Sequence, residues 1–492
     1  MTAVRHRPLT ALALILAVIK SLEFAGDSTP LFYHDSGAFI LNGLGLAVIP
    51  ERSYFYGFLI RLICLPFHSL KPLIVTQVLI GGITAWLLAL VLLRFFRVRF
   101  WIAAAAAVIF ALDPKQIVHE RMIMAETLAL LAAALFLLAA LQYLREETSR
   151  WLVMVSFLGI LLAAVRIVYL PVALAGSMSL PIVAHFLGRN RQLRATVLGA
   201  FVACATTLLF HTAYRFLTGY LAGREPAYHY RSGIFLVAAT APIVKSTDTD
   251  DPRIAAILME QEGGEIKLSN HSERWKQHWE PGGLIDRLTA ALDGDVDAVD
   301  RVAGGLARRA ILRDLVGFLG LGLRTYAGYW KRLFRAKHAL ELDHGIGPEP
   351  QVLPWDAQVI LSVFHLDARP SHKLHTLSRR YHVFAYPWTL FLLLAPFLSL
   401  AAARLAPADL RVNAGLLAGW NWLVMAVLCL AAEESLYRYL HPFSFTGLAA
   451  AALLTEAWRS RIRTREHVPH CTPAHDTGAA GSHDETATRS GC

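Results

Sequence analysis

The residues of this chain best equipped for chemistry are few, and they stand beside apolar runs. Asp35 lies in "FYHDSGAFILNG" (32–43), just past the first apolar segment. Asp113, His119, Glu120, Arg121 and Glu126 lie in "LDPKQIVHERMIMAETL" (112–128), and a long apolar stretch follows Glu126. Arg52 sits in the first polar loop. Arg166 interrupts "AAVRIVYLPVAL", and Arg438 and His441 belong to "ESLYRYLHPF". Ionised side chains at membrane depth are costly, so Glu126 and Arg166 need partners or water. On one continuous helix Glu126 and His119 would share a face. Carboxylates opposite cations at a water–lipid boundary suit sugar transfer from a lipid-linked phosphosugar. Arginine neutralises the phosphate and stabilises it as a leaving group. A carboxylate deprotonates an acceptor hydroxyl or amine. The sugar carbon is attacked in line, with oxocarbenium-like character.

Most of these residues also have a purely structural reading. Asp35 is a favoured residue for capping a helix that begins at Ser36. Asp113 before Pro114 fits turn chemistry. Glu120 and Arg121 read as an exposed charge pair, and Arg166 as an anchor that snorkels to the interface.

The elements that position these residues are membrane helices. Of 492 residues 55% are hydrophobic and only 17% charged, and mean hydropathy is +0.45. A soluble chain carries about 25% charge. The apolar runs are Leu- and Ala-rich and lack the period-two alternation of barrel strands. The fold class is therefore all-α and polytopic, with about ten transmembrane helices. Net charge is +10, but the arginines cluster at the ends of apolar runs, which reads as topology and not as nucleic-acid binding. Five cysteines, Cys64, Cys204, Cys429, Cys471 and Cys492, leave the long polar segment without one, so they do not fix its compartment.

The spans fall at Leu9–Phe24, Pro72–Leu93, Phe100 to "LDP", Met122–Leu144, two short spans within Trp151–Leu187, Ala195–Leu217, Val383–Ala403, Val412–Ala432 and Tyr439–Ala457. The N-terminus reads as an uncleaved first span. The first loop holds two interfacial amphipathic stretches, "SGAFILNGLGLAV" and "SYFYGFLIRLICLPF". With Arg5 and Arg7 inside, "RFFRVR", "REETSR", "GRNRQLR", "RLAPADLR" and "WRSRIRTR" all fall on the cytoplasmic side. Both termini are then cytoplasmic, while Asp35 and Asp113 lie outside. The organisation reads as an N-terminal catalytic module (1–218), an extracytoplasmic segment (219–382), C-terminal helices (383–457) and a disordered tail (458–492). In the external segment, "AILRDLVGFLGLGLRTYAGYWKRLF" reads as one basic amphipathic helix, with Ile311, Leu315, Leu319, Leu323, Tyr326, Trp330 and Leu333 near one face. The tail's His467, His470, Cys471 and His475 are metal-ligand types with nothing to fix their geometry.

Three local patterns resemble the GT-C type integral-membrane glycosyltransferases, in the branch of protein O-mannosyltransferases and bacterial aminoarabinose transferases. They are an Asp after span one in "YHDSGAFILNG", an acid heading span four in "ERMIMAETLALLAAALFLLAA", and an Arg in "AAVRIVYLPVAL". "YRYLHPF" is similar to the aromatic-basic-Pro sequence leading into a terminal span of related proteins. The resemblance covers Leu9 to Phe216, and the remainder more loosely. It implies that Asp35 is the catalytic base, that Glu126 holds the second acidic position, and that Arg52 and Arg166 contact the lipid phosphate. His119, Glu120, Arg121, Arg438 and His441 complete the candidate substrate-binding set. Ser36 stands where many relatives carry a second acid, which leaves the acceptor and any divalent metal open.

The expected function is transfer of a sugar from a polyprenyl-phosphate donor to an envelope glycan, lipid or protein on the outer face of the cytoplasmic membrane. The partners are that donor, the acceptor and membrane lipids. A transporter or flippase for lipid-linked glycans, a glycan polymerase or ligase, and a non-catalytic envelope scaffold are the alternatives.

Overall fold

The computed structural model describes residues 6–45, 52–186, 193–228, 230–263, 271–335, 352–369, 384–432 and 435–466. Arg5, the "GRNRQLR" turn except its last two residues, and the tail's His467, His470, Cys471 and His475 lie outside them. Among the described residues the regular structure is helical, with one isolated bridge between Leu31 and Met122. The chain is an all-α protein of membrane type.

Seven helices are long and apolar enough to cross a membrane, or eight if the bent pair α5 (Phe100–Ala111) and α6 (Pro114–Arg121) is one span. The seven are α1 (His6–Gly26), α4 (Lys71–Phe95), α7 (Glu126–Glu146), α9 (Leu170–Phe186) together with the 3-10 turn before it (span Ile167–Phe186), α10 (Leu193–Ala222), α18 (Ala385–Leu405) and α19 (Arg411–Ala431). The count of about ten rests on two further segments. One is α8 (Ser149–Val165), 17 residues and short for a span. The other is α20 (Phe443–Glu466), whose second half carries Glu456, Arg459, Arg461 and Arg463.

Within the bundle, lipid is as apolar as leucine, so close packing and polar contacts hold helices together. The Ala-rich buried face of α7 meets α8, α4 and α19. Phe136 of α7 lies between Gly159 of α8 and Gly176 of α9, where an added Cβ would come within 3.0 Å of its ring. At the end of α8 the chain turns extended at Arg166 and passes through a 3-10 turn, Ile167–Tyr169, into α9. That is the break expected at "VRIVYLP".

The break before α7 corrects an expectation. Met122–Leu144 is not one helix, because α6 ends at Arg121 and α7 starts at Glu126. His119 and Glu126 therefore belong to different helices. The freed backbone is satisfied from distant sequence. Leu31 donates to the Arg121 carbonyl and accepts from Ile123, both at 2.9 Å. Gln77 of α4 donates to the Glu120 and Met122 carbonyls at 2.9 Å, and Tyr56 donates to Gln77 at 2.6 Å. Before α6, Asp113 accepts from the Lys115 amide (2.8 Å) and Pro114 opens the helix, so α5 and α6 bend by 49°.

The first loop forms the two short helices expected, α2 (Ser36–Leu44) and α3 (Tyr54–Ile63). They cross at Gly43 and Gly57, where a Cβ on Gly43 would fall 2.7 Å from the Gly57 carbonyl oxygen. Phe58 and Leu62 of α3 and Phe67 beyond it remain exposed, as on an interfacial helix. The polar segment forms α11 (Ser232–Thr240), α12 (Pro252–Gly263), α13 (His271–Trp279), α14 (Leu284–Ala291), α15 (Val296–Arg313), α16 (Leu315–Arg335) and α17 (Pro354–Phe364). It has its own core, including Val237, Leu258, Leu288, Val299 and Leu306. The single amphipathic helix expected there is broken at Asp314, whose side chain accepts from the Gly317 amide (2.7 Å) and starts α16 afresh. Leu321, Thr325 and Tyr329 are buried on α16, whereas Leu315, Val316, Leu319 and Leu323 are exposed.

Candidate functional site

The first loop, the break before α7, the break after α8 and the approach to α20 meet at one end of the bundle. Asp35 stands at the N-cap position of α2 but caps nothing with its side chain. Its carboxylate instead accepts from Arg52 at 2.5 Å and from Arg438 at 3.2 Å. Arg438, in a 3-10 turn (Tyr437–Leu440), lies 4.4 Å over the Tyr33 ring and 5.2 Å over that of Tyr439. Arg166, 5.8 Å over the same Tyr439 ring, donates to Glu126 at 2.5 Å.

Glu126, Arg166, Tyr169, Arg438, Tyr439 and His441 line one enclosed space of about 10 Å³, room for about one water. Glu126 is 3% exposed, and its Oε2 has no hydrogen-bond partner among the described residues. A buried, unpartnered carboxylate oxygen is expensive, which marks it as a place where a ligand or water is received. Three guanidinium groups, those of Arg52, Arg166 and Arg438, face two carboxylates, those of Asp35 and Glu126, so the group carries one surplus positive charge. Burial pushes the Asp35 carboxyl up, but Arg438 and then Arg52 outweigh it and hold it at about 2.

His441 and His119, both buried, lie with ring centroids 4.4 Å apart and ring planes tilted by 46°. His441 Nε2 meets Gln116 Oε1 at 2.7 Å.

Two residues grouped with the site by their sequence position are held elsewhere, and neither is exposed. Glu120 accepts from Lys20 (2.9 Å) and Gln116 (2.7 Å). Arg121 pairs with Asp27 at 2.8 Å and donates twice to the Thr29 carbonyl. They are buried because α6 packs inward against α4, leaving no water-facing side for a surface pair. Asp113 accepts from Ser444 (2.5 Å), tying α6 to α20.

Sequence reasoning passed over several participants. Lys115, fully buried, donates to the Tyr437 carbonyl at 3.0 Å and so steadies the turn that carries Arg438. Asp356 of α17 sits so close to Gly37 that a Cβ there would fall 2.2 Å from its Oδ2, which brings the polar segment onto α2 beside Asp35. Composition gave no sign of either. Tyr33 and Tyr439 were visible only as aromatic neighbours of charged residues.

No protein-family model, curated protein or solved structure matches the chain. Among the described residues no group of three or more His, Cys, Asp or Glu side chains is arranged to hold a metal ion.

Proposed function

We propose that the protein is a membrane glycosyltransferase that moves a sugar from a polyprenyl-phosphate donor to an acceptor on the outer face of the cytoplasmic membrane. The observation that carries this reading is the bridging of Asp35 by Arg52 and Arg438 next to the Arg166–Glu126 pair, with one positive charge in surplus. A lipid phosphate is the anion that such a group at the end of a helical bundle would receive, and guanidinium suits it better than ammonium.

In the proposed reaction the phosphate takes over Arg52 and Arg438. Asp35 then loses the cations that hold its carboxyl low and becomes a competent base. The acceptor's O–H or N–H proton passes to Asp35, the acceptor atom bonds to the sugar's anomeric carbon, and the carbon–oxygen bond to phosphate breaks. The electron pair leaves on polyprenyl phosphate, whose charge Arg166 and the two released arginines stabilise, and the anomeric configuration inverts. Glu126 keeps Arg166 oriented and offers Oε2 to the incoming sugar. Glu120 and Arg121, already saturated by Lys20, Gln116, Asp27 and Thr29, stay outside this set.

A second reading, a transporter for lipid-linked glycans, draws on the bent α5–α6 pair and the break before α7, since broken helices line transport sites. Purified protein in lipid nanodiscs, given a panel of polyprenyl-phosphate sugars and envelope acceptors, separates the two. Transfer predicts free polyprenyl phosphate with wild type and none with Asp35→Asn. Reconstituted vesicles in which the donor crosses the bilayer intact, with no bond broken, would establish transport instead.

A further inference from the structure

Beneath the candidate site runs a buried polar chain that the proposed reaction does not use. Lys20 of α1, 3% exposed, donates to Glu120 Oε2 at 2.9 Å, to Glu23 at 2.9 Å and to the Ala111 carbonyl at 2.8 Å. Glu120 Oε1 accepts from Gln116 Nε2 at 2.7 Å, and Gln116 Oε1 meets His441 Nε2 at 2.7 Å. Glu120 and Gln116 are fully buried. The opposite wall is Gly81 of α4, where an added Cβ would fall 1.7 Å from Glu120 Oε1 and 2.8 Å from Gln116 Nε2. α4 thus leaves a side chain out at the one point where the carboxylate and the amide must touch.

The chemistry of this chain has a direction. An ionised carboxylate only accepts hydrogen bonds, so Gln116 must turn its NH2 group toward Glu120 and its carbonyl oxygen toward His441. That oxygen also only accepts, so His441 must carry its proton on Nε2. When the ring is neutral, Nδ1 is left as its one acceptor, on a residue that lines the same cavity as Glu126, Arg166 and Arg438. Lys20 donates its three N–H groups to Glu120, Glu23 and the Ala111 carbonyl, so Glu120 meets it as an acceptor; taken as the carboxylate, Glu120 sets the sense of the whole chain. A hydrogen-bond partner that fixes a histidine tautomer is a recurring device where the other nitrogen has work to do.

We propose that Lys20, Glu120 and Gln116 form a positioning relay that fixes His441 as the Nε2–H tautomer and leaves Nδ1 as a hydrogen-bond acceptor for the sugar or acceptor hydroxyl of the substrate. The substrate part of this statement rests on the glycosyltransferase reading, whereas the tautomer does not.

The test is nitrogen-15 NMR of full-length protein in lipid, labelled at histidine, with the His441 signals identified by their loss in His441→Asn. Wild type is expected to show a neutral ring protonated at Nε2. In Glu120→Gln the side chain at 120 can donate as well as accept. Gln116 is then free to turn over, and an Nδ1–H population should appear for His441. Lys20→Met should act in the same sense, because a carboxylic acid without its ammonium partner can donate to Gln116. An imidazolium or an Nδ1–H ring in wild type overturns the proposal, and that spectrum needs no variant to fold. Folded Glu120→Gln and Lys20→Met proteins that both keep the wild-type tautomer also overturn it. The same preparations assayed for polyprenyl phosphate release keep the two readings distinct. An Nε2–H tautomer that shifts as expected in a protein that transfers no sugar retains the relay and removes its proposed substrate.

Discussion

At the scale of single residues, Asp35 is clamped between Arg52 and Arg438 and only partly exposed. Asp35→Asn keeps the shape of the side chain and removes the base, so sugar transfer should fall by about 100-fold or more. Binding of polyprenyl phosphate should persist or tighten, because Arg52 and Arg438 lose their internal competitor. Calorimetry beside the transfer assay separates the two effects. The same clamp has a pH signature. The Asp35 carboxyl is held at about 2 against an ordinary 3.8. A depressed carboxyl stabilises the fold above its unfolded value, and that stability is lost as pH falls through the folded one. The contribution is on the order of 2 kcal/mol. Melting of wild type and Asp35→Asn should therefore differ at neutral pH and converge as pH drops from about 4 toward 2. Equal melting curves across that range would mean that the ion pairs contribute nothing to the fold. Charged residues in apolar surroundings were legible in the sequence because their isolation is costly, which is why Asp35, Glu126, Arg166, Arg438 and His441 stood out. Gln77, Gln116 and Lys115 did not, since an amide or a lysine near a span end has many ordinary uses.

Among the elements, the break at residues 122–125 decides how the site is built. "MIMA" contains neither Gly nor Pro, so local sequence reads straight through it. What ends the helix is tertiary: Leu31 and Gln77 take the backbone groups that a continuous helix would have used internally. Gln77→Leu removes two hydrogen bonds to buried carbonyls and leaves Tyr56 without its acceptor. That should cost about 2–4 kcal/mol, read as a lowered thermal midpoint, and should weaken transfer by misplacing Glu126. A variant as stable as wild type would show that the break does not depend on Gln77. α16 offers a second test. Its apolar face was legible from periodicity, but its start was not, because Asp314 acts as a cap only once the backbone around it has turned. Leu315, Leu319 and Leu323 are exposed on a helix whose other side packs on the span α19. Spin labels on Leu315→Cys, Leu319→Cys and Leu323→Cys should be relaxed more by lipid-soluble oxygen than by a water-soluble nickel chelate. The reverse order would place this face in water.

For the molecule as a whole, the two ends of the bundle differ in kind. At one end, ordinary surface pairs join the connections, Arg97 to Asp409 at 2.6 Å and Arg99 to Glu456 at 3.3 Å. At the other, buried charges converge on Asp35, Glu126 and His441. In the proposed topology, which rests on the positive charge of the loops, the first end is cytoplasmic, and a membrane-impermeant thiol reagent tests this. His34→Cys should react from outside intact cells and Ala408→Cys only after lysis. The opposite result would invert the topology and put the site on the wrong face for an extracytoplasmic acceptor. Helical membrane architecture was plain from composition. The span count was less so, because α8 and α20 are marginal by length and charge, and their place depends on packing against neighbours. The most direct measurement is mass spectrometry of envelope lipids and glycans from cells with the wild-type protein, without it, and with Asp35→Asn. The account predicts that one polyprenyl-phosphate sugar accumulates, and one sugar decoration disappears, equally in the last two. Identical lipids and glycans in all three, or an Asp35→Asn strain indistinguishable from wild type while the deletion differs, would contradict it.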